Sequence, residues 1–159
     1  MRIINTGGTF NKRYDPIKGE LFVPSDNRSI EEILTSLVTD IPVSGVIYKD
    51  SLEMDDQDRK VLGETIAKCN EQTVVVVHGT DTIDLSAAYI DTLQLNKTVV
   101  FTGAMIPFAI DPVEATANLA MAIGYAHNVS AGVHIVIQGV MSSFKQVKKN
   151  KSLGKFEYV

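Results

Sequence analysis

The run Val74-Val75-Val76-Val77 restricts the possible folds of this chain more than any other stretch. A strand with one wet face alternates apolar and polar residues. Four valines in succession leave no polar face, so the strand is buried on both sides, as in a parallel sheet sandwiched between helices. His78-Gly79-Thr80-Asp81-Thr82 follows directly, setting a glycine, two hydroxyls and a carboxylate at the carboxyl end of the run. Ligands of open α/β sheets bind just outside the carboxyl ends of the strands. The stretch therefore reads as a scaffold strand that ends in an active-site turn.

The rest of the chain supplies partners for that strand. Residues 2–5, 43–48, 98–101 and 133–137 are further short apolar runs. Ser29 and Glu32 have the spacing of a capping box ahead of Ile30, Ile33, Leu34, Leu37 and Val38. Asp55 and Asp56 open a second helical pattern whose buried stripe is Val61, Leu62, Thr65, Ile66 and Cys69. A third runs from Ile83 to about Gln94, with Ile83, Ala87, Ile90 and Leu93 inward. Asp111, Pro112 and Glu114 start a fourth, with Val113, Ala117, Ala120, Met121 and Gly124 as a small-residue packing face. The alternation β-α-β-α-β-α-β-α-β predicts an α/β fold: a doubly wound, mainly parallel sheet with helices on both faces, three layers of the flavodoxin/Rossmann kind.

Two segments fall outside that alternation. Residues 10–27 are polar and irregular, with turn signals at Asp15-Pro16 and Lys18-Gly19, and Leu21 to Val23 as one arm of a small hairpin. A long loop after the first strand is often a lid or binding loop. After Gly139 the chain turns polar and lysine-rich and reads as a loop plus a short extension. The expected organisation is one domain over 1–139 with 140–159 as its extension.

Composition excludes several classes. A hydrophobic fraction of 45% with 21% charged residues is ordinary for a globular protein. A net charge of -4 argues against a nucleic-acid binder. No apolar run reaches the roughly 18 residues of a membrane span. The first residues carry no export-signal pattern, so the expectation is a cytoplasmic protein. Cys69 is the single cysteine and reads as a core residue. Lys145, Lys148, Lys149, Lys151 and Lys155 face one acid, Glu157, in the last fifteen residues. Such a terminus is a solvated face unless one lysine turns inward.

Three strand ends carry small polar residues: Gly7-Gly8-Thr9, Asp50-Ser51 and Gly79-Thr80-Asp81. In a parallel sheet all three share one edge. His78, His127 and His134 have no metal-ligand spacing. The glycines fit neither a dinucleotide fingerprint nor a phosphate loop, and there is no nucleophile elbow. What remains is hydroxyl chemistry without histidine. A threonine is a weak nucleophile and needs a base or cation beside it. A lysine of lowered pKa or a tyrosine would serve. Lys148 and Tyr14 are groups of that type, and spacing alone does not choose them.

Thr6-Gly7-Gly8-Thr9 after the first strand and His78-Gly79-Thr80-Asp81-Thr82 after the third resemble the two signatures of the bacterial-type L-asparaginases. Asp50-Ser51-Leu52-Glu53-Met54 is similar to that family's substrate-carboxylate turn, and Thr102-Gly103-Ala104-Met105-Ile106-Pro107 to its segment after the next strand. The resemblance covers essentially the whole chain. It implies that Thr9 is the acyl-accepting nucleophile and that Tyr14 lies in a loop closing over the substrate. It implies that Ser51 holds the substrate α-carboxylate, with Leu52 standing where secreted members carry glutamine. Thr80, Asp81 and Lys148 match the second threonine, its aspartate and the supporting lysine, and Asp81 would also hold the α-amino group. Ala104 matches a backbone contact near the amide, and amides at the Gly8 and Gly79 turns would face the oxyanion.

The implied reaction is hydrolysis of the side-chain amide of a small amino acid, L-asparagine foremost, with no cofactor and no metal. The family's smaller C-terminal domain is expected to be absent, because this chain stops where the connection to it would begin. That expectation motivates two other readings: a non-catalytic amino-acid-binding domain, or one part of a split asparaginase. It also predicts a homo-oligomer, through surfaces the second domain would otherwise cover.

Overall fold

The computed structural model describes residues 1–159. In chain order the elements are β1 (Arg2–Gly7), β2 (Arg13–Asp15), β3 (Glu20–Phe22), α1 (Arg28–Ser36), β4 (Val43–Lys49), α2 (Asp56–Lys68) and β5 (Thr73–Val77). There follow α3 (Ile83–Thr92), β6 (Thr98–Thr102), α4 (Pro112–Ala126), β7 (Gly132–Ile137), β8 (Val140–Ser143), β9 (Val147–Asn150) and β10 (Lys155–Tyr158). Single 3-10 turns occupy Thr9–Asn11, Ser51–Glu53 and Phe144–Gln146. No helix is long and apolar enough to cross a membrane.

The main sheet has the order β4-β1-β5-β6-β7-β8. Its first five strands are parallel, and β8 returns antiparallel to β7. β1 pairs with β4 on one side and β5 on the other, so the chain leaves β1 in one direction and crosses back past it to reach β5. The gap between β1 and β5 is therefore the topological switch point, where the connecting loops splay apart and leave a crevice.

The valine run explains the layers. Val74 and Val76 join Ile4, Leu62, Ile66, Ile83, Ala87 and Ile90, which puts α2 and α3 on one face. Val75 and Val77 join Ile3, Ile30, Ile33, Leu34, Leu119 and Ala122, which puts α1 and α4 on the other. All four valines are fully buried, and each such side chain stabilises the fold by about 1.5–3 kcal/mol. The doubly wound α/β fold is thus as the alternation predicts.

Three local expectations are corrected. α1 begins at Arg28 behind Asn27, and Ser29 lies buried inside it rather than capping it. The buried face of α4 is Ala115, Asn118, Leu119, Ala122 and Ala126, while Val113, Ala117 and Gly124 are exposed. That helix carries small apolar residues all round, so apolarity alone cannot orient it; Asn118 is inward because its side chain bonds Gly103 O and Gln138 N–H, both at 2.9 Å. The segment after Gly139 is ordered as β8 in the main sheet and a β9–β10 hairpin, with Val140, Val147 and Phe156 buried in the core.

One irregularity positions the site. Asn5 is opposite Gly45, yet Gly7 is opposite Lys49, so β4 carries two more residues than β1 across this bulge. Tyr48 takes up the excess at φ 59. Its phenol folds back over Gly45, where a Cβ would stand 1.5 Å from the hydroxyl, and donates to Asn27 Oδ1 at 3.2 Å. Bulges re-aim the chain beyond them. Here the chain beyond is Lys49-Asp50-Ser51.

Candidate active site

Three strand ends close on the switch point. Gly8, at φ 71, lies so near Gly79 that a Cβ on it would be 2.5 Å from the Gly79 backbone. Only glycine accepts that dihedral and that approach without strain. A Cβ on Gly79 would in turn stand 2.6 Å from Ser51 Oγ. Thr6 Oγ1 donates to Val77 O at 2.9 Å, tying β1 to β5, and Thr82 Oγ1 donates to Ser51 O at 2.8 Å, tying the turn after β5 to the turn after β4. Thr9 follows Gly8 at the start of its 3-10 turn and is half-buried.

Thr80 and Asp81 stand between β5 and α3. Lys149 reaches both: its Nζ is 2.8 Å from Thr80 Oγ1 and 2.8 Å from Asp81 Oδ1. The expectation of Lys148 in this place is corrected. In β9, Val147 is buried, Lys149 faces inward beside it and pairs across the hairpin with buried Phe156, while Lys148 faces out and is exposed. Side chains alternate across a strand, so a one-residue slip in counting selects the wrong face. Val147 was the signal that fixed the parity. Thr80 Oγ1, accepting from the ammonium, sends its own proton to Met105 Sδ at 3.3 Å, a partner absent from the expected set.

The other expected residues divide. Ser51 is buried, and its Oγ has no hydrogen-bond partner in the chain. Ala104 is fully buried behind β6. The Gly8 amide donates to Lys49 O at 2.8 Å and is not free for a substrate; the amides of Gly79, Thr80 and Asp81 donate to no backbone carbonyl. These three lie at the amino end of α3, where a developing negative charge is favoured. Tyr14 is 58% exposed on the β2–β3 hairpin, opposite Leu21, and Leu52 is 69% exposed beside Ser51. The structure does not bring Tyr14 to the threonines.

His78 is buried at the end of β5, with Nδ1 2.8 Å from Gly79 O. A carbonyl only accepts, so Nδ1 carries the proton, and Nε2 is left without a partner. Burial pushes its pKa down to about 4, which the Gly79 bond offsets only in part. The ring is neutral and fixes the turn. Chemically, the arrangement is a hydroxyl held by an ammonium that also pairs with a carboxylate, on a turn whose Gly79 touches Gly8 of the Thr9 turn, with three free amides alongside.

The family model described as Asparaginase, N-terminal, matches residues 1–155. The curated L-asparaginase of Thermococcus kodakarensis is 25% identical over 118 residues, 72% of this chain and 36% of that protein. The solved thermostable L-asparaginase from Thermococcus kodakarensis superposes with a TM-score of 0.83 at 22% identity, over 99% of this chain and 50% of that one. The Campylobacter jejuni protein named probable cytoplasmic L-asparaginase gives a TM-score of 0.81 at 26% identity, over 99% and 52%. L-asparaginase I from Vibrio cholerae gives 0.80 at 22%, over 99% and 50%. The chain spans about half the length of these solved relatives.

Proposed function

The chain belongs to the asparaginase family, through its N-terminal domain, and from that premise we propose that it is an amidohydrolase releasing ammonia from the side-chain amide of a small amino acid, L-asparagine foremost. The observation that carries the reading is Lys149 Nζ at 2.8 Å from both Thr80 and Asp81, across the switch point from Gly8-Thr9. Thr9 Oγ attacks the carboxamide carbon, the C–N bond breaks, and ammonia leaves with the hydroxyl proton. Water, polarised at the Thr80–Lys149–Asp81 cluster, then cleaves the threonyl ester to give aspartate and restore Thr9. The free amides at Gly79–Asp81 support the oxyanion of both steps. Ser51 Oγ, buried and unpartnered, is assigned to the α-carboxylate, and the free oxygen of Asp81 to the ammonium. Ala104 is assigned to the amide end, and Tyr14 to closure of the hairpin over the site. The assigned compartment is the cytoplasm.

Incubation with asparagine, glutamine and their D-isomers, with ammonia measured against a Thr9→Ala control, tests this reading. We expect release from L-asparagine that the substitution removes. Release unchanged by it would refute the nucleophile.

Self-association belongs to the same proposal. Ile106 and Ile110 in the β6–α4 connection and Val113 in the first turn of α4 are 43, 60 and 71% exposed, and exposed apolar side chains of this kind are candidates for an interface. Light scattering on the eluting protein is expected to give a dimer or larger; a monomer at every concentration tried would remove this part.

A further inference from the structure

Two turns carry the proposed reaction, Thr9–Asn11 and Ser51–Glu53, and one side-chain pair bridges them. Lys12 closes the first: its amide donates to Thr9 O at 3.1 Å, and its Nζ lies 2.5 Å from Asp50 Oδ2. Asp50 opens the second, its Oδ1 accepting from the Leu52 amide at 3.0 Å. One carboxylate thus caps the Ser51 turn and receives a cation from the Thr9 turn. Both side chains are shielded, at 21% and 24% exposure. Burial works to raise the Asp50 pKa, but the Lys12 bond, the Leu52 amide and the charges of Lys12 and Lys149 outweigh it and hold the carboxyl below its usual range.

We propose that Lys12 and Asp50 are positioning residues, a strap that holds the Ser51 turn in register with the Thr9 turn and thereby sets affinity for the carboxylate end of the substrate. The proposal rests on the assignment of Ser51 to that end. The Gly8–Lys49 bond fixes the backbone one residue before Asp50, and the Thr82 bond fixes Ser51 O. Neither fixes the capped amide at Leu52, nor the rotation of the turn that aims the unpartnered Ser51 Oγ. That rotation is held by Asp50, and Asp50 by Lys12. A displacement of about 1 Å in such a group is enough to cost binding or rate. The Lys12 ammonium is held by Asp50, so it acts through the turn and not on the substrate.

Four variants test the strap: Lys12→Met, Asp50→Asn, the double substitution and Lys12→Arg. Asn keeps a capping oxygen for Leu52 and removes only the charge. Lys12→Met and Asp50→Asn are each expected to raise KM for asparagine roughly tenfold, the scale of one charge-assisted hydrogen bond, with kcat within about threefold. The double variant should be no worse than either single, and Lys12→Arg should restore most of the affinity. Without substrate, the Leu52 and Glu53 amides should exchange faster in both single variants. Additive losses, or a fall in kcat at unchanged KM, would overturn the strap. So would tighter binding in Asp50→Asn alone, since Lys12 would then be a direct carboxylate ligand. If the unmodified protein released no ammonia, the amidohydrolase reading would fall. Unchanged exchange at Leu52 would still, by itself, decide against the strap.

Discussion

At the scale of single residues the site depends on strand parity. Lys149 is 11% exposed with its ammonium on Thr80 and Asp81; Lys148, its neighbour, points to solvent. Replacing Lys149 by Met removes the cation that polarises the Thr80 hydroxyl and leaves Asp81 without its partner. Ammonia release is expected to fall by roughly 10²-fold or more, the usual contribution of a proton-handling group. Lys148→Met, changing a solvated surface charge, should leave the rate within about twofold. Steady-state assays of the two variants side by side decide the point, and equal losses would reject the assignment by parity. The threonines, Asp81 and Ser51 were legible in the sequence because each follows an apolar run and a turn residue. The lysine was not, because the chain after Gly139 reads as a loop, and without a strand there the alternation that puts Lys149 on the face of Val147 has nothing to act on.

At the scale of elements, the strands and layers were legible and the irregularities were not. The apolar runs Val74–Val77 in β5 and Ile135–Ile137 in β7 read as interior strands, and the order of the helical patterns dictated two faces. The β4 bulge left no trace in periodicity, since Val43 to Tyr48 reads as an unbroken strand. Its cause is local: Tyr48 at φ 59 lays its ring in the space left by Gly45. Gly45→Ala sets a Cβ inside that ring and must expel it, breaking the bond to Asn27. A loss of about 1–3 kcal/mol is expected from this overpacking, read as a lowered urea midpoint. Because the bulge aims Lys49-Asp50-Ser51, the variant should also raise KM more than it lowers kcat. A variant as stable and active as the parent would show that the bulge does not depend on the Tyr48–Gly45 contact.

At the scale of the whole molecule, the site and the stability share one buried group. His78 sits between the central strand and the Gly79 turn, neutral, with its Nδ1 proton on Gly79 O and Nε2 facing no acceptor. Protonation would put a second N–H at Nε2, buried and unpaired, so the folded state resists it down to about pH 4 while an exposed histidine takes its proton near 6.5. Between those values the unfolded chain binds more protons than the folded one, and stability must fall as pH falls. The contribution is complete above about 6.5 and lost progressively towards 4, on the order of 3 kcal/mol for a shift of this size. His134, also lowered by burial, adds to the same slope with the same sign. Asp26, Asp50 and Asp58 are held below 3.8 by partners that outweigh their burial, so their losses begin only at more acid pH. Urea midpoints should therefore decline from pH 6.5 to about 5, before the carboxylates of the unfolded chain begin to take protons, and the His78 ring signals should titrate with a midpoint near 4 rather than near 6.5. A midpoint constant across that window would mean that the ring can accept its second proton in place. The Gly79 turn, and with it the approach of β1 to β5, would then not depend on a neutral histidine.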